Sequence, residues 1–190
     1  MTMKPEDVLR TIAEFRGEAI CVPTMTTSPA WRWIAPDDLS VNCVGFMGGA
    51  SSLGLGLAMA FPERPVIVLD GDGSLLMQLG SLATVAGVGA RNFYHVVFHN
   101  GVYHTSGEQP VPGSERISFQ GLAAAAGYAF SERIDNLEEL RVSLPGLLRQ
   151  PGPGLIELMT GLSGETPMTT APNLPFADQI ERLRERLSAR

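Results

Sequence analysis

The stretch PVIVLDGDGSLLMQLG, residues 65–80, contains the pattern that decides the fold. Its first part, PVIVLD, is an apolar run typical of a strand that is buried on both faces of a parallel sheet. Gly71 and Gly73 come directly afterwards, and they allow the backbone to turn tightly and to approach a ligand closely. Asp72 lies between them, so the sequence places a carboxylate at the carboxyl end of a buried strand.

Strands and helices alternate on either side of this stretch. Such alternation predicts an α/β fold with a parallel central sheet and helices on both faces. Sheets of this kind bind their ligands beyond the carboxyl ends of their strands. The predicted strands are 18–23, 65–70, 93–99, 128–132 and 154–159, and the predicted helices are 5–15, 50–61, 74–90, 121–128, 136–150 and 176–190.

The chain of 190 residues has the length of one good-sized domain. We expect this domain to span residues 1–162 and to be followed by an extended linker over 163–175. The closing helix, 176–190, is predicted to be amphipathic. Its apolar stripe consists of Phe176, Ile180, Leu183 and Leu187.

Composition and charge exclude several classes of function. The net charge is -6 and the 14 cationic residues are scattered, which argues against a nucleic-acid partner. Cys21 and Cys43 form no CxxC, so we expect a reduced, cytoplasmic protein without an iron–sulfur cluster or structural zinc. The N-terminus lacks the apolar core of a signal peptide, and no apolar stretch is long enough to span a membrane.

A second loop, HNGVY, follows the next predicted strand. Because carboxyl ends of neighbouring parallel strands share one edge of a sheet, we expect Asn100 to lie close to Asp72. The turn at Gly101 then aims the carbonyl of Val102 at the same point. Each loop taken alone is more typical of an ordinary turn. Their placement at adjacent strand ends favours a site with oxygen ligands.

The helix that follows Asp72 adds an anion site. The N–H groups of Gly73 and Ser74 open this helix, where backbone donors and the helix dipole favour negative charge. An anion beside a carboxylate is repelled unless a cation lies between the two. Magnesium fits this role, because it is a hard ion usually held by one or two carboxylates together with ligand phosphates. The residues therefore predict a metal-bridged diphosphate.

The two loops together resemble a known family. GDGS followed by HNGVY is similar to the thiamine diphosphate fingerprint, in which GDG is followed by Asn after about one helix and one strand. The segments GFMGGASSLGLGLAMA upstream and HTSGEQP downstream extend the likeness to one branch. This branch comprises the β subunits, or C-terminal halves, of sulfopyruvate and phosphonopyruvate decarboxylases. The resemblance runs from about residue 18 to about residue 160.

The resemblance implies thiamine diphosphate and Mg²⁺ as cofactors, with the cofactor acting as the electron sink when carbon dioxide leaves. It implies that the carbonyl of Gly45 meets the aminopyrimidine, and that Met47 supports the bent shape of the cofactor and so takes part in catalysis. The implied metal ligands are Asp72, Asn100 and the Val102 carbonyl. The implied cofactor-binding set is Thr24, Gly45, Met47, Gly71, Asp72, Gly73, Ser74, Asn100 and Val102.

Some positions depart from the family pattern. His99 stands where the family usually has Asn or Asp, and Glu108 stands where it usually has Gly. His104 follows the metal loop, close to the expected substrate. It is interpreted either as a catalytic residue that relays a proton or touches the substrate carboxylate, or as a loop histidine without a role. His95 lies inside a strand and is expected to be structural.

The segment TMTTSPAWRW, residues 24–33, is predicted to be a polar-aromatic loop. Relatives in the branch carry Ser-Arg-Glu in this loop, whereas Ser28 is followed here by Pro and Ala. The missing Arg weakens the assignment of a sulfonate or phosphonate substrate, although Arg32 is close enough along the chain to replace it. Trp31 and Trp33 indicate either an apolar substrate or a subunit contact, and the contact is the commoner use.

The resemblance also implies a partner. In this family a Glu that contacts the pyrimidine comes from a separate pyrimidine-binding domain, and this chain has the length of one domain. We therefore expect the β subunit of a 2-oxo acid decarboxylase, in a hetero-oligomer whose α subunit supplies that Glu. Half of a carboligase similar to acetolactate synthase is an alternative. An electron-transferring oxidoreductase half is disfavoured by the lack of CxxC, and a non-catalytic scaffold subunit is disfavoured by the presence of both Asp72 and Asn100.

Overall fold

The computed structural model describes residues 2–43, 45–162, 164 and 174–188. Within this part of the chain, strands and helices alternate as predicted. The strands are β1 (Ile20–Pro23), β2 (Val66–Gly71), β3 (Phe93–His99), β4 (Val102–Tyr103), β5 (Gln109–Pro110), β6 (Phe130–Ile134) and β7 (Gly154–Met159). The helices are α1 (Pro5–Phe15), α2 (Thr27–Ile34), α3 (Ala50–Ala60), α4 (Asp72–Met77), α5 (Ser81–Val88), α6 (Phe119–Ala126), α7 (Leu137–Leu147) and α8 (Phe176–Ser188).

The central sheet is parallel throughout, with the strand order β1-β2-β3-β7-β6. Every residue of β3 is buried, and β2 and β7 are buried except at their last residues. Their apolar runs therefore have the pattern of strands covered on both faces. The two remaining strands, β4 and β5, form a short antiparallel hairpin beside the carboxyl end of β3. The predicted α/β fold is confirmed.

Helices cover both faces of this sheet and bury a separate apolar cluster on each side. One cluster joins α1, α2 and α7 to the sheet, through residues such as Leu9, Trp31 and Leu144. The other joins α3, α5, α6 and α8 to the opposite face, through residues such as Leu55 and Phe119. No helix in the described ranges is long and apolar enough to cross a membrane.

The prediction of a loop over residues 24–33 is wrong, because α2 begins at Thr27. Pro29 lies within the first helical turn, where a missing N–H costs nothing. The hydroxyl of Ser28 donates to Asn42 Oδ1 at 2.7 Å, so this polar side chain is satisfied inside the helix. Trp31 is fully buried and donates from Nε1 to Ser40 Oγ at 2.9 Å. Burial of this tryptophan anchors the segment as a helix.

The single helix predicted over 74–90 is divided into α4 and α5. The loop that contains Gly48 packs closely against the break between these two helices. A Cβ added at Gly48 would lie only 2.8 Å from Cβ of Gln78. The strand predicted over 128–132 begins two residues later, at Phe130. Gly127 ends α6 with φ of 101°, and Tyr128 then packs into the core before the strand begins.

The C-terminal helix α8 packs Leu183 against the same cluster as α3, α5 and α6. Ile180 and Leu187 are partly buried there, as the predicted stripe requires, but Phe176 is 50% exposed. Gln179 is buried in its place, because its Oε1 accepts a hydrogen bond from the backbone N–H of Asn42 at 2.7 Å. Most of the predicted linker, residues 163 and 165–173, lies outside the described residues.

Candidate functional site

The loops after β1, β2 and β3 meet at one edge of the sheet, because these strands are neighbours and run parallel. Asp72 and Asn100 are brought to the same cleft, as the sequence predicted. The enclosed part of this cleft has a volume of about 40 Å³. The cleft is lined by Met25, Thr26, Met47, Gly71, Asp72, Gly73, Ser74, Asn100, Val102, Tyr103, His104 and Thr105.

Asp72 is buried at this cleft and held from two sides. Its Oδ1 accepts from the N–H of Gly73 at 2.8 Å, and its Oδ2 accepts from the N–H of Gly101 at 2.7 Å. Burial raises the pKa of Asp72 above its ordinary value, although both N–H groups and the charge of His99 act in the opposite direction. A cation beside this carboxylate would offset the cost of burying its charge.

Asn100 begins a turn that its own side chain stabilises. Its Oδ1 accepts from the N–H of Val102 at 3.0 Å, and Gly101 between them has φ of 79°. This left-handed conformation favours glycine strongly. The carbonyl of Gly101 accepts from the N–H of Val111 at 2.9 Å, which ties the turn to the far end of the hairpin.

Close packing requires glycine at position 73. A Cβ at Gly73 would lie 2.5 Å from Cε1 of Tyr103, whose side chain covers the start of α4. The N–H of Gly73 donates to Asp72 Oδ1, so in this structure it orients the carboxylate. The backbone at this turn therefore lies directly against the β4–β5 hairpin.

Ser74 connects the GDG turn to the upstream loop. Its buried Oγ accepts from the N–H of Gly48 at 3.0 Å. Gly48 has φ of 83° and follows Met47, whose side chain lines the cleft. The position of Met47 is therefore linked to α4 by this hydrogen bond.

A buried histidine–carboxylate pair, His99 and Glu157, lies next to Asp72. His99 Nδ1 is 2.7 Å from Glu157 Oε1, and His99 Nε2 is 3.9 Å from Asp72 Oδ2. The second oxygen of Glu157 accepts from the N–H of Gln120 at 2.9 Å. Burial acts against ionisation of Glu157, but the hydrogen bonds from His99 and Gln120 hold its pKa below the ordinary value.

A sequence profile described as "Thiamine pyrophosphate enzyme, C-terminal TPP binding domain" matches residues 23–158, which contain the whole cleft. The chain belongs to this family. Its fold agrees with that of a thiamine diphosphate-dependent 4-hydroxybenzoylformate decarboxylase from Rhodococcus jostii RHA1, with a TM-score of 0.72. The superposition covers 85% of this chain and 33% of the other at 24% identity, so it supports the fold alone.

Two relatives show the branch of thiamine pyrophosphate enzymes to which the chain is similar. Phosphonopyruvate decarboxylase from Streptomyces hygroscopicus is 40% identical over 150 residues, covering 78% of this chain and 37% of that protein. Sulfopyruvate decarboxylase subunit beta from Methanocaldococcus jannaschii is 34% identical over 129 residues, covering 67% of this chain and 68% of that subunit. The chain thus spans little more than a third of the phosphonopyruvate decarboxylase that it matches.

The donors at the cleft suit the magnesium ion expected in a thiamine pyrophosphate enzyme. The carboxylate of Asp72, the amide of Asn100 and the carbonyl of Val102 are all hard oxygen ligands. In the described part of the chain, no three His, Cys, Asp or Glu side chains form a metal-binding group. An ion held here by Asp72 would therefore need neutral oxygens and ligand phosphates to complete its coordination.

The structure places two of the predicted cofactor-binding residues outside the cleft lining. Thr24 is buried, and its hydroxyl donates to the carbonyl of Cys43 at 2.7 Å. Gly45 is exposed in the loop before α3, with φ of 77°. Their roles towards the cofactor stay predictions.

Arg32 does not lie in the cleft. It lines a separate cavity between α2 and α8, together with Ser40 and Arg182. Trp31 is part of the core, which rules out the predicted surface role, and Trp33 is 41% exposed beneath the guanidinium of Arg10. The arginine expected to replace the missing anion-binding residue is therefore directed elsewhere in this chain.

His104 lies at the turn of the β4–β5 hairpin and lines the cleft. Its Nδ1 is buried without a hydrogen-bond partner, 3.8 Å from Glu108 Oε1. Glu108 has φ of 57°, a left-handed conformation that explains why glycine is usual there in the family. His95, by contrast, is completely buried beside Asp70, with Nε2 3.2 Å from Oδ2, as expected of a structural residue.

Four lining residues were not predicted from the sequence: Met25, Thr26, Tyr103 and Thr105. Met25 has φ of 46°, a strained conformation of the kind that clusters at functional sites. Nothing in its sequence context indicates this, since methionine rarely adopts positive φ. Tyr103 was within the quoted HNGVY motif, and its ring contact with Gly73 becomes visible only in the fold.

Proposed function

We propose that this chain is the diphosphate-binding subunit of a thiamine diphosphate- and Mg²⁺-dependent 2-oxo acid decarboxylase, completed by a pyrimidine-binding subunit. The observation that carries the proposal is the buried Asp72 carboxylate, oriented by two backbone N–H groups at the ends of adjacent strands. Sequence similarity to proteins named phosphonopyruvate decarboxylase and sulfopyruvate decarboxylase subunit beta supports the reaction class.

Seven of the residues that line the cleft have a role in this proposal. Asp72, Asn100 and the Val102 carbonyl hold the magnesium ion, and Gly71, Gly73 and Ser74 let the backbone approach the diphosphate. Met47 supports the cofactor from the loop that Ser74 holds. When bound, thiamine diphosphate supplies the electron sink for decarboxylation. The residues of this chain bind it, orient it and exclude water around it.

The size of the cleft supports a shared active site. Its enclosed volume of about 40 Å³ is far below the 300–1,000 Å³ typical of small-molecule pockets. In this proposal the pyrimidine-binding subunit encloses the rest of the cofactor and the substrate. Among the described lining residues, His104 is the one side chain able to carry a positive charge. Selectivity for a substrate with a second anionic group then depends largely on the partner.

Product analysis of the assembled pair tests the proposal. The chain and its partner, supplied with thiamine diphosphate and Mg²⁺, are incubated with phosphonopyruvate, sulfopyruvate and pyruvate. Release of carbon dioxide with the matching aldehyde supports a decarboxylase, whereas a hydroxyketone product supports the carboligase alternative. Absence of cofactor binding by the pair, measured by titration calorimetry, would leave the scaffold alternative.

A further inference from the structure

Arg32 is a partly buried cation that lacks a partner. Within the described part of the chain its guanidinium makes no hydrogen bond or ion pair, and its Nε and Nη1 atoms are shielded from solvent. Arg32 lies in the last turn of α2, where the helix dipole favours a cation, but no carbonyl accepts a hydrogen bond from these two nitrogens. Because a cation shielded from water destabilises the fold unless an anion pairs with it, the position of Arg32 indicates a missing counterion.

The two carboxylates that line the same cavity as Arg32 are paired with other arginines. Asp37 forms an ion pair with Arg16, and Asp38 Oδ1 lies 3.7 Å from Arg182 Nη1. No ion pair joins either carboxylate to Arg32 in the described residues. With Arg16 included, three arginines face two carboxylates, which leaves one positive charge, that of Arg32.

The cavity has the size and the surface of a small-molecule site. Its volume of about 310 Å³, between α2 and α8, is at the lower end of the range typical of ligand pockets. The Ser40 hydroxyl lines it and accepts from Trp31 Nε1 at 2.9 Å. This hydroxyl donates to none of the described residues, so its hydrogen is free for a ligand. Apolar surface comes from Ala35, Pro36 and Leu174.

Hydrogen bonds between amide groups hold the walls of the cavity together. Gln179 Oε1 accepts from the backbone N–H of Asn42 at 2.7 Å, and Gln179 Nε2 donates to the carbonyl of Leu174 at 2.8 Å. The Ser28 hydroxyl donates to Asn42 Oδ1 at 2.7 Å, which ties α2 to the same network. The cavity is therefore formed before any ligand binds. Since these amides already have partners, recognition of a ligand depends mainly on Arg32 and Ser40.

From the unpaired charge and the preformed cavity we infer that this cavity binds a small monocarboxylate, with the carboxylate facing Arg32 and Ser40. The guanidinium charge is delocalised over three nitrogens, so an anion in the cavity offsets it even where Nε and Nη1 remain covered. One unpaired positive charge balances a monocarboxylate but not a dianionic phosphate. The cavity shares no described lining residue with the cleft at Asp72, so this inference goes beyond the proposed function and does not depend on it.

Butyrate is the probe that tests this inference, and butyramide, its neutral isostere, is the control ligand. Thermal unfolding of the full-length chain at constant ionic strength should show a saturable rise in Tm with butyrate and none with butyramide. Titration calorimetry then gives the Kd of butyrate. We expect Arg32→Gln to raise this Kd by about 10-fold or more, because a charged hydrogen-bond partner is lost. Arg141→Gln, which removes the same charge from an exposed position on α7, should leave it unchanged.

His104→Gln distinguishes the cavity from the cleft, because His104 is the one described lining residue of the cleft able to carry a positive charge. Retention of butyrate binding by His104→Gln together with its loss in Arg32→Gln supports the inference. The reverse result would place the anion in the cleft and overturn it. Without ligand, Arg32→Gln should not lower the Tm, since the guanidinium has no described partner to lose.

Glu165 is the alternative counterion, because it is the one acidic residue of the segment 165–173, which lies outside the described residues. A double-mutant cycle of Arg32→Gln and Glu165→Gln tests it. Additive effects on stability would support an external ligand, whereas strong coupling would show that the chain neutralises Arg32 itself and would overturn the inference. Absence of saturable butyrate binding would overturn it as well. Thiamine diphosphate takes no part in these measurements, so their outcome and that of the proposed function are separate.

Discussion

His99 Nδ1 lies 2.7 Å from Glu157 Oε1 between the sheet and α6, and both side chains are buried. The other ring nitrogen of His99 faces Asp72 Oδ2 at 3.9 Å. Since β7 lies beside β3, Glu157 is positioned by the neighbouring strand, and Phe119 packs edge-on against the imidazole with 5.3 Å between ring centroids. The surroundings of Asp72, the proposed metal ligand, are thus tied to a core carboxylate that has no part in the GDG or HNGVY motifs.

Replacing Glu157 with Gln should destabilise the chain. Despite its burial, the hydrogen bonds from His99 and Gln120 hold the pKa of Glu157 below the ordinary value. A lowered pKa gives stability that is present above the unfolded-state pKa, about 4.3, and is lost as the pH falls through the folded-state pKa. We expect Glu157→Gln to lower the free energy of unfolding by about 1–3 kcal/mol at neutral pH. Urea unfolding from pH 3 to pH 7 measures this difference.

Glu132→Gln is the control for this prediction, since Glu132 is exposed on the adjacent strand β6. The difference between Glu157→Gln and the wild type should shrink towards acid pH, whereas Glu132→Gln should remain close to the wild type throughout. Equal stability of Glu157→Gln and the wild type at neutral pH would contradict the role assigned to the pair.

Asp72→Asn should separate stability from metal binding. Burial raises the pKa of Asp72, so without metal its charge destabilises the fold as the pH rises above the unfolded-state value of about 3.9. The Tm of the metal-free wild type should therefore fall as the pH rises through this range, and this fall should be absent or smaller in Asp72→Asn. With Mg²⁺ and thiamine diphosphate, the assembled wild type should gain stability and the variant should not. A variant that binds the cofactor normally would show that Asp72 is not the metal ligand.

The sequence predicted the sheet and the meeting of Asp72 with Asn100, because both depend on local patterns: apolar runs and glycine turns at strand ends. It did not predict the helix at 27–34, since the burial of Trp31 that anchors it depends on Ser40 from a later segment. The contribution of Glu157 was also missed. Its position depends on the pairing of β3 with β7, strands that are far apart in the sequence.

The position of Arg32 also could not be predicted from the sequence. Sequence distance placed it within reach of the substrate, but α2 carries it into a different cavity from the one at Asp72. Which face of a helix a residue occupies is decided by the burial of its neighbours, here Trp31. Because the segment was predicted to be a loop, the side of α2 on which Arg32 lies could not be predicted.

Gly73→Ala should disrupt the cleft locally. The added Cβ would lie 2.5 Å from the ring of Tyr103 and 3.2 Å from Cγ2 of Val111, so the hairpin must move away from α4. We expect a loss of about 1–3 kcal/mol of stability and loss of cofactor binding by the assembled pair. Gly87→Ala is the matched control, because nothing lies within 4 Å of its Cβ, and it should stabilise α5 by about 0.5–1 kcal/mol. Similar effects of both variants would show that Tyr103 does not restrict position 73.

Glu108→Gly should separate backbone strain from function at the hairpin. With φ of 57°, Glu108 adopts a conformation that costs a non-glycine residue about 1 kcal/mol, so glycine should raise the stability of the chain by a similar amount. The change also removes the carboxylate 3.8 Å from His104 Nδ1. If Glu108 orients His104, kcat of the assembled enzyme should fall even though the protein becomes more stable. Chemical denaturation and steady-state kinetics on the same preparation measure the two effects.

His104→Gln should affect turnover without affecting cofactor binding. His104 lines the cleft from the hairpin, and its side chain is 28% exposed, so a substrate in the cleft can reach the imidazole. Loss of a proton-transferring group typically lowers the rate by about 100-fold or more, so kcat should fall while the Kd of thiamine diphosphate stays constant. Glu115→Gln, an exposed change in the segment after the hairpin, should alter neither quantity. A normal kcat for His104→Gln would show that His104 is a loop histidine without a catalytic role. A raised Kd would instead assign it to cofactor binding.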